Sequence, residues 1–149
     1  MLLTAAGQEV SKVACFSSLL KERLLPIDTV RAVATVQSGA SGMISMSFGT
    51  EFKTVTEIEV TTTNGQVTWA PKNGVKTVRR LESGEEKEEH EKIEMNQGVL
   101  AEFEAFAQSV EAGKIDPRQS PEEGLKDLRL LEALFRSGED GAAVKSVSY

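Results

Sequence analysis

The chain has one cysteine and one histidine in 149 residues. A single cysteine, Cys15, permits no intrachain disulfide and no thiolate metal cluster, so a reducing, cytoplasmic setting is the default. No apolar run approaches the ~18 residues that a membrane-spanning helix needs. The opening MLLTAAGQEV lacks a basic stretch and has too short an apolar one for a secretory signal. No Lys/Arg block occurs, and the net charge is -6, which disfavours nucleic acid and anionic membranes as partners. A G-x-G-x-x-G turn is also missing, which leaves no dinucleotide fingerprint in the chain itself.

What is present is ordinary globular material. Hydrophobic residues make up 40% and charged residues 27%, values typical of a soluble domain. The length suits one domain over 1–149 with a real core. Strand patterns come first and helix patterns last, which predicts an α+β fold rather than a nucleotide-binding α/β fold. The expected architecture is a mostly antiparallel open sheet with two C-terminal helices packed on one face.

The strand signals vary in clarity. Residues 8–16 carry Val10 and Val13 in mixed periodicity, and Pro26 behind them favours a strand over a long helix. Val30, Ala32, Ala34 and Val36 alternate with Arg31, Thr35 and Gln37, the pattern of a half-buried strand. Ser38 to Gly42 reads as a turn, followed by Ile44, Met46 and Phe48 alternating with Ser45 and Ser47. Residues 52–63 alternate again, and Asn64-Gly65 predicts a type I′ turn. Val67 and Trp69 lie on the next strand, Lys72-Asn73-Gly74 forms a further turn, and 75–81 is another strand. A charged run, 85–91, reads as a solvated segment. Residues 143–147 can supply a last short strand.

Two amphipathic helices joined by an Asp-Pro linker end the chain. The first carries Val99, Phe103, Phe106 and Val110, with Leu100 and Ala107 widening the stripe, and ends at Ala112-Gly113. The second begins with Ser120 as N-cap, Pro121 at the first helical position and Glu123 completing a capping box. Leu125, Leu128, Leu131, Leu134 and Phe135 form its expected core face, and Gly138 and Gly141 its stop.

Three stretches, CFSSLLKERLLPIDTVRAV (15–33), SGASGMISMSFGTEF (38–52) and DPRQSPEEGLKDLRLLEALFRSGEDG (116–141), together resemble the C-terminal domain of the Gfo/Idh/MocA oxidoreductases, most closely the fungal members. The resemblance implies a sheet that lines a substrate cleft and builds an oligomer interface. In that family NAD(P) binds to a separate N-terminal Rossmann domain, whose cofactor and catalytic motifs all precede the first strand found here. No catalytic residue carries over to this sequence. The implied protein is a truncated oxidoreductase-like one, with no cofactor of its own. Its partners would be a second copy of itself, a small-molecule substrate and a separate Rossmann domain. An in-frame glycine-rich turn upstream of Met1 would make the parent a full dehydrogenase.

Individual chemistry-bearing residues read blandly. His90 sits in a solvated run of carboxylates, where a surface role fits better than that of a general base. Glu85, Glu88 and His90 lack metal-ligand spacing. Cys15 fits a small buried apolar role better than a nucleophile's. The functional candidate is instead a surface: the outward positions Arg31, Thr35, Ser45, Ser47, Thr61 and Thr63. They are hydroxyl-rich and charge-poor, which suits a substrate wall or a close sheet contact, with Trp69 as a candidate anchor. Two other functions fit the same surface, a cofactor-independent cyclase or isomerase and a non-catalytic dimeric scaffold.

Overall fold

The computed structural model describes residues 8–52, 55–93 and 97–149. The chain divides into two compact units, one drawn from Met1–Lys53 and Pro117–Tyr149, the other from Thr54–Asp116. The α+β class of the sequence holds, with the strands distributed over two four-stranded antiparallel sheets.

In the first unit, β1 (Val10–Ser18), β2 (Thr29–Val36) and β3 (Ser41–Ser47) form a meander. The two-residue strand Lys145–Ser146 pairs with the free side of β1. A register shift between Val10 and Lys12 makes Ser11 a bulge. One extra residue restores Val10 and Val13 to the same side of the sheet, and both are buried. That bulge is why their spacing obeyed neither a strand nor a helix period.

The helix Pro121–Glu139 covers the inner face of this sheet, packing on β1 and on the C-terminal strand. Ser120 caps it as expected: its hydroxyl accepts the Glu123 N–H at 3.3 Å. The Glu123 carboxylate takes Lys126 Nζ at 2.8 Å. The buried stripe differs from the expected one. Leu130, Ala133, Leu134 and Ser137 are buried, whereas Leu125, Leu128, Leu131 and Phe135 lie on the exposed side. Gly138 lies inside the helix rather than stopping it, and a side chain there would run into the Ser17 hydroxyl. Its lack of a Cβ lets helix and strand approach. The helix ends instead at Asp140, with Gly141 in the left-handed region at φ 61°. The Ala142 N–H then reaches back to the Ser137 carbonyl at 2.8 Å, a Schellman closure.

Between β1 and β2 the chain is tied by Asp28. Its carboxylate accepts the backbone N–H of Leu20 at 3.0 Å and of Lys21 at 2.8 Å, and the Thr29 hydroxyl at 2.8 Å. Burial alone would raise its pKa, but these donors outweigh burial and hold it below the usual carboxylate value.

The second unit is a four-stranded meander: β4 (Ile58–Thr62), β5 (Gly65–Ala70), β6 (Gly74–Arg80) and β7 (Glu86–Glu91). The 52–63 strand is shorter than expected. Lys53 and Thr54 lie outside the described residues, and 55–57 form no strand. Ile58 pairs with Trp69, and β5 ends one residue later, just before Pro71, so β4 has no further partner. The turn also shifts by one residue. Thr62 pairs with Gly65, leaving Thr63-Asn64 as the loop, with neither residue at positive φ. The Thr62 hydroxyl accepts the Asn64 N–H at 3.2 Å and shapes this turn. Gly65 is there for space, because a Cβ would meet the Val78 carbonyl on β6.

The solvated charged run forms a strand. Every residue of β7 is exposed, and its side chains pair with β6: Lys76 with Glu88 at 2.7 Å and Arg79 with Glu89 at 3.4 Å. Each such exposed pair stabilises by only about 0.2–1 kcal/mol. Their larger effect is to charge a sheet edge that would otherwise recruit another strand. The helix Gln97–Ala112 belongs to this unit. Its stripe of Val99, Phe103, Phe106 and Val110 is exposed, and no described element of the unit covers it.

Two predictions follow from the packing. Leu134, 1% exposed, and Leu131, 37% exposed, separate the true core face from the expected one. In urea denaturation Leu134→Ala is expected to cost about 2–5 kcal/mol and Leu131→Ala distinctly less; equal costs would contradict this helix phase. For Asp28, the lowered folded-state pKa means its contribution is present above the unfolded value of about 3.9. It is lost as pH falls through the lower folded value. Asp28→Asn should therefore destabilise the chain at pH 7, and that effect should shrink as pH is lowered past the unfolded carboxylate value, measured by denaturant melts across the acid range.

Candidate functional site

The outer face of the first sheet follows from strand alternation. On β2 the side chains of Thr29, Arg31, Val33 and Thr35 point away from the helix-covered core. Directly opposed residues of antiparallel strands share a face, so the register extends each of these into a row. Phe16 pairs with Arg31 and Arg31 with Ser45; Ala14 pairs with Val33 and Val33 with Met43; Lys12 pairs with Thr35 and Thr35 with Ser41. A last row sets Ser18, Thr29 and Ser47 side by side.

The structure thus brings four expected site residues, Arg31, Thr35, Ser45 and Ser47, onto one face. Thr61 and Thr63 are in the second unit. Thr61 is on β4, and Thr63 lies in the turn rather than in a strand.

The face is less polar than its alternation suggested. Phe16 is 72% exposed, Val33 53% and Met43 86%. They form an apolar band of neighbouring rows, flanked by hydroxyls. Phe16 escaped notice because the Ser11 bulge obscured the period of β1, and Met43 because it stood beside a turn. Arg31 does not project freely from this band: its guanidinium donates to the carbonyls of Met46 at 2.7 Å and Val30 at 2.9 Å. This folds the cation over the sheet backbone and leaves the hydrocarbon around it in the open. At the hydroxyl end, the Thr29 and Ser47 oxygens lie 2.8 Å apart. Near the other end, the Ser11 hydroxyl donates to the Thr35 carbonyl at 3.0 Å.

The remaining chemistry-bearing groups fall where plain structural roles put them. Cys15 is fully buried, and burial pushes its thiol pKa up, away from thiolate chemistry. His90 is exposed on β7, 2.7 Å from Glu88. The Glu88 carboxyl is held below its usual range, first by its bond to Lys76 and then by His90. Trp69 is half-buried on β5, between Ile58 and Val75. No group of three or more metal-ligating side chains occurs among the described residues.

The residues do not fit a dinucleotide either. A pyrophosphate site needs free backbone N–H groups after a glycine-rich turn. The helix at Pro121 instead opens with proline, a capped N–H and two acids, Glu122 and Glu123.

Comparison with known proteins agrees with this arrangement. Residues 1–146 match the family model of the oxidoreductase C-terminal alpha/beta domain. Dehydrogenase FPY6 of Fusarium mangiferae is 42% identical over 149 residues, all of this chain but 42% of the longer protein. Among solved structures, an oxidoreductase domain protein from Kribbella flavida superposes with a TM-score of 0.84 at 16% identity, covering 99% of this chain and 47% of that one. The aldose-aldose oxidoreductase of Caulobacter crescentus, solved with glycerol, gives 0.74 at 20% identity, covering 97% and 43%. The chain therefore spans less than half the length of the relatives it matches. By its sequence along nearly its whole length, it belongs to the Gfo/Idh/MocA oxidoreductase C-terminal domain family.

Proposed function

We propose that this chain acts as the substrate-binding and oligomerisation half of an NAD(P)-dependent dehydrogenase of small-molecule metabolism. Its two units serve together as one C-terminal domain in the cytoplasm. The cofactor is bound by a Rossmann domain outside the present sequence. One observation carries this reading: the sheet of the first unit is covered by a helix on one side and bare on the other. The bare side is an apolar band of Phe16, Val33 and Met43 between hydroxyl rows.

An exposed, contiguous apolar band marks a contact surface rather than a solvated one. A second copy of the same sheet is its natural cover, since small hydroxyl side chains such as Ser45, Ser47 and Thr35 let two sheets approach closely. Arg31, tied down to Met46 and Val30, presents little unpaired charge to such a contact. Thr61 and Thr63, on the second unit, form a separate polar surface for substrate.

Two measurements test the proposal. Light scattering at tens of micromolar should give at least twice the 16.2 kDa chain mass. Phe16→Glu combined with Met43→Glu should return it to monomer without loss of fold. Those two positions lie on different strands and do not face each other, so any effect comes from burying charge in the contact. A monomeric wild type would refute the interface. Titration calorimetry with NADPH should show no saturable binding, and a low-micromolar dissociation constant would overturn the division of labour.

A further inference from the structure

Within the first unit, the helix Pro121–Glu139 and the chain after it border an open groove of about 460 Å³. Three cations line it: Arg129 and Arg136 from the helix and Lys145 from the C-terminal strand. Ser146 and Ser148 add hydroxyls, Tyr149 completes the lining, and Glu132 is its only side-chain carboxylate. Helical geometry explains the convergence, because positions 129, 132, 133 and 136 lie along one side of the helix. This gathering runs against the composition of a chain with net charge -6.

The three cations are not equally committed. Arg136 is held by Glu132 at 2.7 Å, and Lys145 by Asp140 at 2.6 Å. Arg129 is half-buried and makes no ion pair with a described residue. A guanidinium that lines a groove without an ion pair among the described residues is suited to an external oxyanion, which its planar fork can grip with two parallel hydrogen bonds. Swinging Arg136 or Lys145 from a surface carboxylate to a stronger bound anion costs little, because exposed ion pairs are worth so little.

We propose that this groove binds a phosphate group, free or carried by a small metabolite, with Arg129 as the first contact. Arg136, Lys145 and the hydroxyls of Ser146 and Ser148 complete its shell. The site uses none of the residues of the bare sheet face, so it stands or falls separately from the function proposed above.

The test is a titration of inorganic phosphate into the isotopically labelled 149-residue chain, followed by amide and arginine side-chain resonances. Saturable shifts confined to 129–136 and 144–149 are expected. Arg129→Gln should weaken binding about tenfold, the loss of one charge-assisted contact. Glu132→Gln should tighten it by freeing Arg136 and removing the one lining side-chain carboxylate. Opposite signs from two exposed or half-buried positions cannot come from a general loss of fold, and far-ultraviolet circular dichroism of both variants checks that directly. Glucose 6-phosphate binding more tightly than inorganic phosphate would assign the site to a phosphorylated small molecule; equal binding would assign it to the free anion. Absence of saturation by about 20 mM phosphate, an affinity too weak for a built site, would overturn the proposal. So would equal binding by wild type and both variants.

Discussion

One buried hydroxyl holds the first unit together. Ser137 Oγ accepts the Cys15 N–H at 2.8 Å and donates to the Ala143 carbonyl at 2.7 Å. The C-terminal strand pairs Lys12 with Ser146 and Val13 with Lys145. Continuing that register would set Cys15 opposite Ala143. The chain has by then turned away to close the helix, and the serine side chain is spliced into the ladder in the missing place. A neutral hydrogen bond adds only about 0.5–1.5 kcal/mol, but a buried N–H left without one costs about 1–3 kcal/mol. The hydroxyl therefore does more to prevent a loss than to add a gain. Its neighbours are arranged around it: Gly138 admits Ser17, the Ser137 carbonyl accepts the Schellman N–H, and Leu134 lies one turn back in the core.

That clamp decides which face of the sheet is free. With Leu130, Ala133 and Leu134 pressed onto Val13, Cys15, Ala32 and Ala34, the helix can cover one side only. Phe16, Val33 and Met43, on the other parity, are left exposed. The second unit handles its own exposed strand oppositely. Every side chain of β7 is exposed, and five of its six residues are Glu or Lys; this disfavours an incoming strand. One unit thus carries a bare apolar face and the other a charged edge.

Much of this was legible in the residues. Strict alternation located β2 and the four polar positions Arg31, Thr35, Ser45 and Ser47. Ser120, Pro121 and Glu123 located the helix start. Errors arose where two signals competed. The last helix carries two leucine-rich stripes, and the larger side chains, Leu125, Leu128, Leu131 and Phe135, belong to the exposed one. The buried stripe was marked by its small residues, Ala133, Ser137 and Gly138, which permit close approach to the strand. Asn64-Gly65 looked like a turn, but the glycine was required by the nearness of Val78. The charged 86–91 segment has poor strand propensity, and only its partner β6, rich in complementary cations, makes it one. Phe16 was hidden by a bulge that no local pattern announces.

The claim that most of this rests on is that Ser137 completes the β1 ladder at Cys15. Native-state hydrogen exchange at the Cys15 amide tests it most directly. In the wild type that amide should exchange only through global unfolding, as slowly as the ladder amide of Val13. In Ser137→Ala it should exchange through local opening while the β1–β2 amides stay protected. A Cys15 amide that exchanges quickly in the wild type, or is equally protected in both proteins, would contradict the account.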